Sequence, residues 1–299
     1  MSVVLKAEDI TKKYGEKIVL NKVNMTINKG DIYGFIGKNG AGKTTFMRVI
    51  LSLTEKDSGD FNFFEGKNLK DVGLKIGSLI ENPGLYENAT VYENLKRFSI
   101  LYGVDEEAIT NVLKIVNLEY ASLKKVSMLS LGMRQRLGIA IALLNEPEFM
   151  VLDEPVNGLD PEGIRCIRDL IIKLNKEKNV TFLISSHLLD ELSKIATKYG
   201  IINNGVLIEE ISSEELKNKC LNKTIVEVNN PIQAKELLLK IIPSESISVI
   251  GNKIEINIKV DPMVINRYLV TSNIEVKGIY ESSENIEDYF LKLIGDKNE

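Results

Sequence analysis

The chain has 299 residues, 44% of them hydrophobic and 27% charged, with a formal net charge of -4. That length suits one large domain or one with a small companion, and the balance is that of an ordinary soluble globular protein. The acidic surplus speaks against nucleic acid as a partner.

The start, "MSVVLKAEDI", brings charges early and has no long apolar core, so no signal peptide is expected. "VVLKAEDITKKYGEKIVLNKVNMTINKGD" reads as short alternating β runs separated by turns at Tyr14-Gly15 and Lys29-Gly30. "DIYGFIG" is a strand. A Gly-rich turn follows it, then a helix in "KTTFMRVILSL" with Phe46, Val49, Ile50 and Leu53 at apolar positions. An apolar strand, Ile76 to Ile80, runs into Glu81 and breaks at Asn82-Pro83-Gly84, where turn residues are natural but a carboxylate at the strand end is not. Residues 84 to 128 read as mostly helical, with helical spacing in "VYENLKRFSILYG" and "EEAITNVLKIVNL". "EFMVLDEP" is a continuous apolar run ending in acids, the pattern of a central parallel strand. "PEGIRCIRDLIIKLNKEKN" is an amphipathic helix with Ile164, Ile167, Leu170, Ile171 and Leu174 on one face. "VTFLISS" is a second buried strand, "HLLDELSKIATKYG" a helix closed by Gly200, and "GIINNGVLIEE" a hairpin with an Asn-Gly turn. Such alternation implies a parallel sheet covered on both faces. No apolar run reaches the length of a membrane span. Cys166 and Cys220 form no framework or metal spacing, so a reducing compartment is expected.

Near Ser212 the pattern changes. Ser212 with Glu215 resembles a capping box opening a helix to about Leu221. Beyond it come a strand (224–228), a helix (232–242), two strands around Gly251-Asn252, a helix (262–270), a strand (274–280) and a helix (286–294). The order βαββαβ plus a helix is compatible with a small split-βαβ domain.

"GKNGAGKTT", Gly37 to Thr45, fits G-x-x-x-x-G-K-[ST] and lies between a strand and a helix. Small residues let backbone N–H groups turn inward around phosphate oxygens, and the helix start adds its positive end. Lys43 supplies a point charge to the terminal phosphates, and the Thr44 hydroxyl is a hard oxygen ligand for Mg²⁺. In "FMVLDEP", Asp153 ends a strand where it can hold Mg²⁺, and Glu154 beside it can activate a water. Ser130 and Gly132 open the helix of "LSLGMRQRLGIAIALL". Ser130 reads as an N-cap, and that helix start is also an anion site. His187, the single histidine, follows a core strand directly, at the sheet edge where parallel α/β sheets place ligands.

Tyr14, "GKNGAGKTT", "LSLGMRQR", "MVLDEP", "NGLDP" and "SSH" stand in the order and spacing of the nucleotide-binding subunit of ATP-binding cassette (ABC) transporters, which residues 1 to about 215 resemble. The resemblance implies an α/β P-loop NTPase fold with a RecA-like core, an antiparallel β subdomain and an α-helical subdomain over about 84–145. The helical subdomain would touch a membrane subunit, and residues 216–299 would form a small α+β accessory domain. It implies ATP as ligand, with Tyr14 stacking on adenine. Gly37, Asn39, Gly40, Ala41, Gly42, Lys43, Thr44 and Thr45 would form the Walker A loop. Asp153 would be the Walker B acid, Glu154 the catalytic base, Asp160 the D-loop acid and His187 the switch histidine. Ser130 and Gly132 would complete the ATP site of a second copy, giving a head-to-tail homodimer with two sandwiched nucleotides.

Two departures stand out. The usual Leu-Ser-Gly-Gly-Gln is Leu129-Ser130-Leu131-Gly132-Met133 here. Glu81 stands where the family places a glutamine that senses Mg²⁺ and faces the membrane subunit. A glutamate there resembles the subgroup exporting peptide antibiotics such as bacitracin and lantibiotics, so Glu81 joins Thr44 and Asp153 as an expected metal-facing residue. The implied partners are separate membrane-spanning permease subunits and no nucleic acid. The implied location is peripheral, on the cytoplasmic face of a bacterial cell membrane. A soluble cassette clamping nucleic acid or ribosomes is the alternative, although it usually carries two cassettes or long basic or coiled-coil insertions. A regulatory module that holds ATP without hydrolysis is a third reading, which Glu154 opposes.

Overall fold

The computed structural model describes residues 2–81, 83–220, 223–258, 260–282 and 286–295. Asn82 of the expected turn and Leu221, the expected helix end, lie outside them. The chain divides into two compact units, Met1–Ser213 and Glu214–Glu299.

The first unit opens with β1 (Val3–Tyr14), β2 (Lys17–Asn28), β3 (Ile32–Ile36), α1 (Lys43–Ile50), β4 (Ser58–Phe63), α2 (Leu69–Val72) and β5 (Ile76–Leu79). Three helices follow: α3 (Val91–Tyr102), α4 (Glu106–Ile115) and α5 (Leu131–Leu143). It closes with β6 (Phe149–Asp153), α6 (Pro161–Lys178), β7 (Thr181–Ser186), α7 (Leu189–Ser193), β8 (Lys198–Asn203) and β9 (Val206–Ser212).

A six-stranded sheet runs β5-β6-β7-β3-β8-β9, parallel throughout except for the β8–β9 hairpin. Every residue of β3, β6 and β7 is buried, which is why these strands read as unbroken apolar runs rather than alternating ones. A second sheet, β2-β1-β4, is antiparallel. One apolar core joins the two sheets through α1: Leu5, Ile10, Met25 and Phe63 meet Phe35, Phe46 and Phe149. The Phe35–Phe46 rings lie 5.4 Å apart edge to face, a geometry worth about 0.5–1.5 kcal/mol beyond the area buried.

The helical stretch is less continuous than its spacing suggests. α3 starts on a capping box, with Thr90 and Glu93 satisfying each other's backbone N–H, and stops at Gly103 in left-handed conformation. After α4 the chain makes only short 3₁₀ turns, at Glu119–Ala121 and Val126–Met128. The inward residues Leu95, Ile109, Val112 and Leu137 of α3, α4 and α5 are nonetheless all buried.

One expected helix is shorter than its pattern, and its end is strand. α7 ends at Ser193, and Gly200 lies inside β8 rather than closing a helix. The reason is a close approach from the neighbouring strand: a Cβ on Gly200 would sit 2.1 Å from the Tyr33 hydroxyl. The glycine clears space for a tyrosine. Asn204-Gly205, both at positive φ, form the expected hairpin turn between β8 and β9.

The second unit begins in α8 (Ser213–Lys219) and continues β10 (Lys223–Val228), α9 (Pro231–Leu238), β11 (Ile247–Ile250), β12 (Lys253–Ile256), α10 (Pro262–Thr271), β13 (Val276–Ser282) and α11 (Ile286–Gly295). Its sheet is antiparallel in the order β11-β12-β10-β13, the arrangement of a split-βαβ fold. Val226, Val228, Ile254 and Ile256 point to one face and bury Ala234, Leu238, Ile265 and Leu269 of α9 and α10. This unit has a core of its own.

Candidate active site

β3 ends at Ile36, and residues 37–42 form a loop before α1 opens at Lys43. Gly42 takes φ 112°, and a Cβ there would lie 2.9 Å from the Val19 carbonyl oxygen, so only glycine fits. The Lys43 ammonium is folded back, 2.6 Å from the Gly37 carbonyl oxygen, and only 5% of the residue is exposed. Burying an ammonium demands partners, and a second one is Glu154 Oε1 at 3.4 Å.

Across the sheet, the Thr44 hydroxyl donates to Asp153 Oδ2 at 2.7 Å. The other carboxylate oxygen, Oδ1, accepts from the Ser185 hydroxyl at 2.5 Å. Glu154, next in the chain, has φ 48°, an uncommon conformation for a residue with a side chain. Its N–H donates to Ser185 Oγ at 2.8 Å, and its Oε2 lies 2.7 Å from His187 Nδ1. Glu154 thus bridges Lys43 and His187. One carboxylate, one ammonium and one imidazole converge beside the loop, at the carboxyl ends of β6 and β7 where α/β sheets place ligands.

The remaining expected residues sit elsewhere. Tyr14 ends β1, half exposed, with the Lys12 ammonium 5.2 Å from its ring centre. Ser130 is the N-cap of α5, accepting from Met133 N–H, and Asp160 is the N-cap of α6, accepting from Gly163 N–H. The two caps belong to packed neighbours: a Cβ on Gly158 would meet Leu131 at 3.2 Å, and one on Gly132 would meet Leu159 at 3.7 Å. Leu131, the signature departure, therefore packs on the loop that carries Asp160.

Glu81 has φ 59° and its carboxylate lies 2.8 Å from Arg48 Nη2. Arg48 is four residues beyond Thr44 on α1, about 6 Å along the axis on the same face. Glu81's partner here is a guanidinium, not the Thr44–Asp153 pair. Sequence reading missed Arg48 and Ser185. Ser185 stood inside "SSH" and is the ladder partner of Asp153, but only pairing β6 with β7 reveals that.

The oxygen donors that meet at Thr44 and Asp153 are hard, which suits a small divalent cation shared with phosphate oxygens. Among the described residues, no helix is long and apolar enough to cross a membrane.

Comparison with known proteins agrees with this geometry. The ABC transporter family profile matches residues 20–157. The bacitracin transport ATP-binding protein BcrA of Bacillus licheniformis is 41% identical over 308 aligned residues, covering 99% of this chain and 98% of that protein. The lantibiotic transport ATP-binding protein SrtF of Streptococcus pyogenes is 43% identical, covering 75% of this chain and 99% of that protein. Among solved structures, the dimeric post-hydrolysis state of the ATP-binding cassette MJ0796, bound to ADP and Pi, superposes with a TM-score of 0.62. It is 25% identical and covers 70% of this chain and 98% of that one. The fold class expected from the sequence agrees with these matches, and the chain belongs to the ATP-binding proteins of ABC transporters, an ATPase family.

Proposed function

We propose that this chain hydrolyses Mg-ATP to power export of a peptide antibiotic through separate membrane-spanning subunits, on the cytoplasmic face of a bacterial membrane. The observation that carries the ATPase part is the Glu154 carboxylate, held between Lys43 at 3.4 Å and His187 at 2.7 Å. In this reading ATP draws Lys43 to its terminal phosphates, with the backbone N–H groups of Gly40, Gly42, Lys43 and Thr44 around them, while the Ala41 N–H braces the loop on the Lys38 carbonyl. Gly37 and Asn39 shape that loop, Thr45 extends it into α1, and Tyr14 stacks on adenine. Glu154 takes the proton of the attacking water, and His187 uses its other nitrogen on the γ-phosphate.

Thr44 and Asp153 would hold Mg²⁺, which when bound would offset the charge of the phosphates. Glu81, paired with Arg48 one turn along α1 from Thr44, is the further carboxylate offered to that side. Ser130 and Gly132 meet the nucleotide of a second copy, and Asp160 lies in the same dimer face. The dimeric MJ0796 cassette supports that pairing.

The export part rests on similarity to BcrA along nearly the whole chain, C-terminal unit included. Such full-length likeness to a transport subunit also disfavours a clamp on nucleic acid or ribosomes. The test is to place the chain, together with candidate membrane-spanning subunits from the same genome, in a sensitive host and measure growth under bacitracin and lantibiotics. Raised resistance that disappears with Glu154→Gln is expected. Resistance unchanged by the introduced proteins, or retained by Glu154→Gln, overturns the reading.

A further inference from the structure

A single buried hydroxyl is hydrogen-bonded to both acidic residues of the site, to the carboxylate of Asp153 and the backbone of Glu154. Ser185 is wholly buried on β7 and stands beside Asp153 in the parallel ladder, so the two side chains share a face. Its Oγ accepts the Glu154 N–H at 2.8 Å and donates to Asp153 Oδ1 at 2.5 Å. A hydroxyl can do both at once, since it carries one donor and two acceptor sites.

The consequence concerns direction. Glu154 leaves the strand at φ 48°, and a strained residue persists only where its surroundings over-determine it. The peptide N–H of that residue is fixed by Ser185, its carbonyl oxygen accepts from Asn157 N–H at 3.1 Å, and its carboxylate meets His187 and Lys43. Of these, only the Ser185 bond also grips the neighbouring acid, whose Oδ2 is already taken by Thr44. Loosening it frees the turn and turns the Asp153 carboxylate together.

We infer that Ser185 is a positioning residue for hydrolysis: its hydroxyl locks the Asp153–Glu154 turn so that the Glu154 carboxylate is aimed at the attacking water. This rests on the proposed role of Glu154 and assigns the geometry of that role to a residue that touches neither substrate nor metal. Misplacing a reacting group by about 1 Å costs on the order of 10²-fold in rate.

The experiment compares the full-length parent with Ser185→Ala, Ser185→Cys and Ser185→Thr. Cysteine keeps the shape of serine with a somewhat larger atom in place of the hydroxyl and hydrogen-bonds poorly, so it carries the comparison if the alanine variant fails to fold. Ala and Cys should lower kcat by roughly 10- to 100-fold with KM for ATP within about twofold, and Thr should restore most of kcat. A second readout needs no turnover: hydrogen exchange of the Glu154 amide in the nucleotide-free protein should speed up in Ala and Cys and return toward the parent in Thr. Parent-like kcat in Ala and Cys, unchanged exchange at Glu154, or a folded Thr variant as slow as Ala overturns the inference. Glu154→Gln, run alongside, separates the two levels. If it is inactive while Ser185→Ala and Ser185→Cys keep their kcat, only the Ser185 role fails; if it stays active, the underlying site assignment fails.

Discussion

Arg48 and Glu81, separated by 33 positions in the chain, are joined by an ion pair of 2.8 Å at the last turn of α1. Both side chains are more than one-third exposed, at 39% and 56%, so the pair contributes at most about 1 kcal/mol to stability. Its interest is the position it gives the carboxylate. An ionised carboxylate binds Mg²⁺ more strongly than a neutral amide, and a metal offsets repulsion from Asp153 and Glu154. Glu81→Gln and Glu81→Ala are expected to raise the Mg²⁺ concentration for half-maximal ATPase activity, with ATP affinity little changed. Arg48→Ala should shift the same midpoint by releasing Glu81, and should change nothing further in a Glu81→Gln background. Coincident Mg²⁺ titrations for all variants would make the pair a surface contact and no more.

Glu154→Gln keeps the shape of the side chain and loses the base. Steady-state hydrolysis should fall by about 10²- to 10⁴-fold, while fluorescent ATP analogues still bind. Turnover near the parent rate would remove Glu154 from the role.

Oligomeric state should follow nucleotide. Ser130 and Gly132 open α5 at an exposed end, and in the proposed sandwich they meet phosphate only across a dimer. Light scattering of Glu154→Gln is expected to show a monomer or weak dimer without ATP and a stable dimer with Mg-ATP, because a ligand that binds one state accumulates it. An unchanged mass would count against the cross-dimer contact.

Truncation after Ser213 should leave ATP affinity within about tenfold, or 1.4 kcal/mol. The second unit has its own core and contributes none of the proposed phosphate or metal ligands. Calorimetric titration of the folded truncation checks this, and a larger loss would give the C-terminal unit a part in the site.

A pH effect should arise at Tyr33. Its hydroxyl donates to Glu210 Oε1 at 2.8 Å, with Lys198 Nζ 3.2 Å from the same carboxylate. Burial, then the Glu210 charge, push the Tyr33 pKa well above 10.0. The unfolded tyrosine ionises near pH 10 and the folded one later, so the folded state holds more protons there. Stability from this group is complete below about pH 10 and declines above it, with a limiting slope of roughly 1.4 kcal/mol per pH unit. Urea unfolding between pH 8 and pH 11 should show Tyr33→Phe losing less stability with rising pH than the parent. Parallel profiles would place the alkaline sensitivity elsewhere.

What the sequence determined by itself was local. A glycine-rich turn between strand and helix, acids ending an apolar run, an Asn-Gly hairpin and the cap at Ser130 depend on residues a few positions apart. Backbone geometry and hydrogen bonds of short reach produce them wherever that pattern occurs. The order of motifs extended this to a family and to a list of site residues. Which groups touch was decided only by tertiary structure. Thr44 reaches Asp153 across 109 positions and Ser185 reaches Glu154 across 31, because the parallel sheet sets β3, β6 and β7 side by side. Spacing along the chain carries no trace of that pairing. Gly200 shows the same limit from the other side. Local rules make it a helix stop, but a tyrosine hydroxyl on the neighbouring strand occupies the space its side chain would need. Steric exclusion between strands distant in sequence overrides a local preference of about 1 kcal/mol.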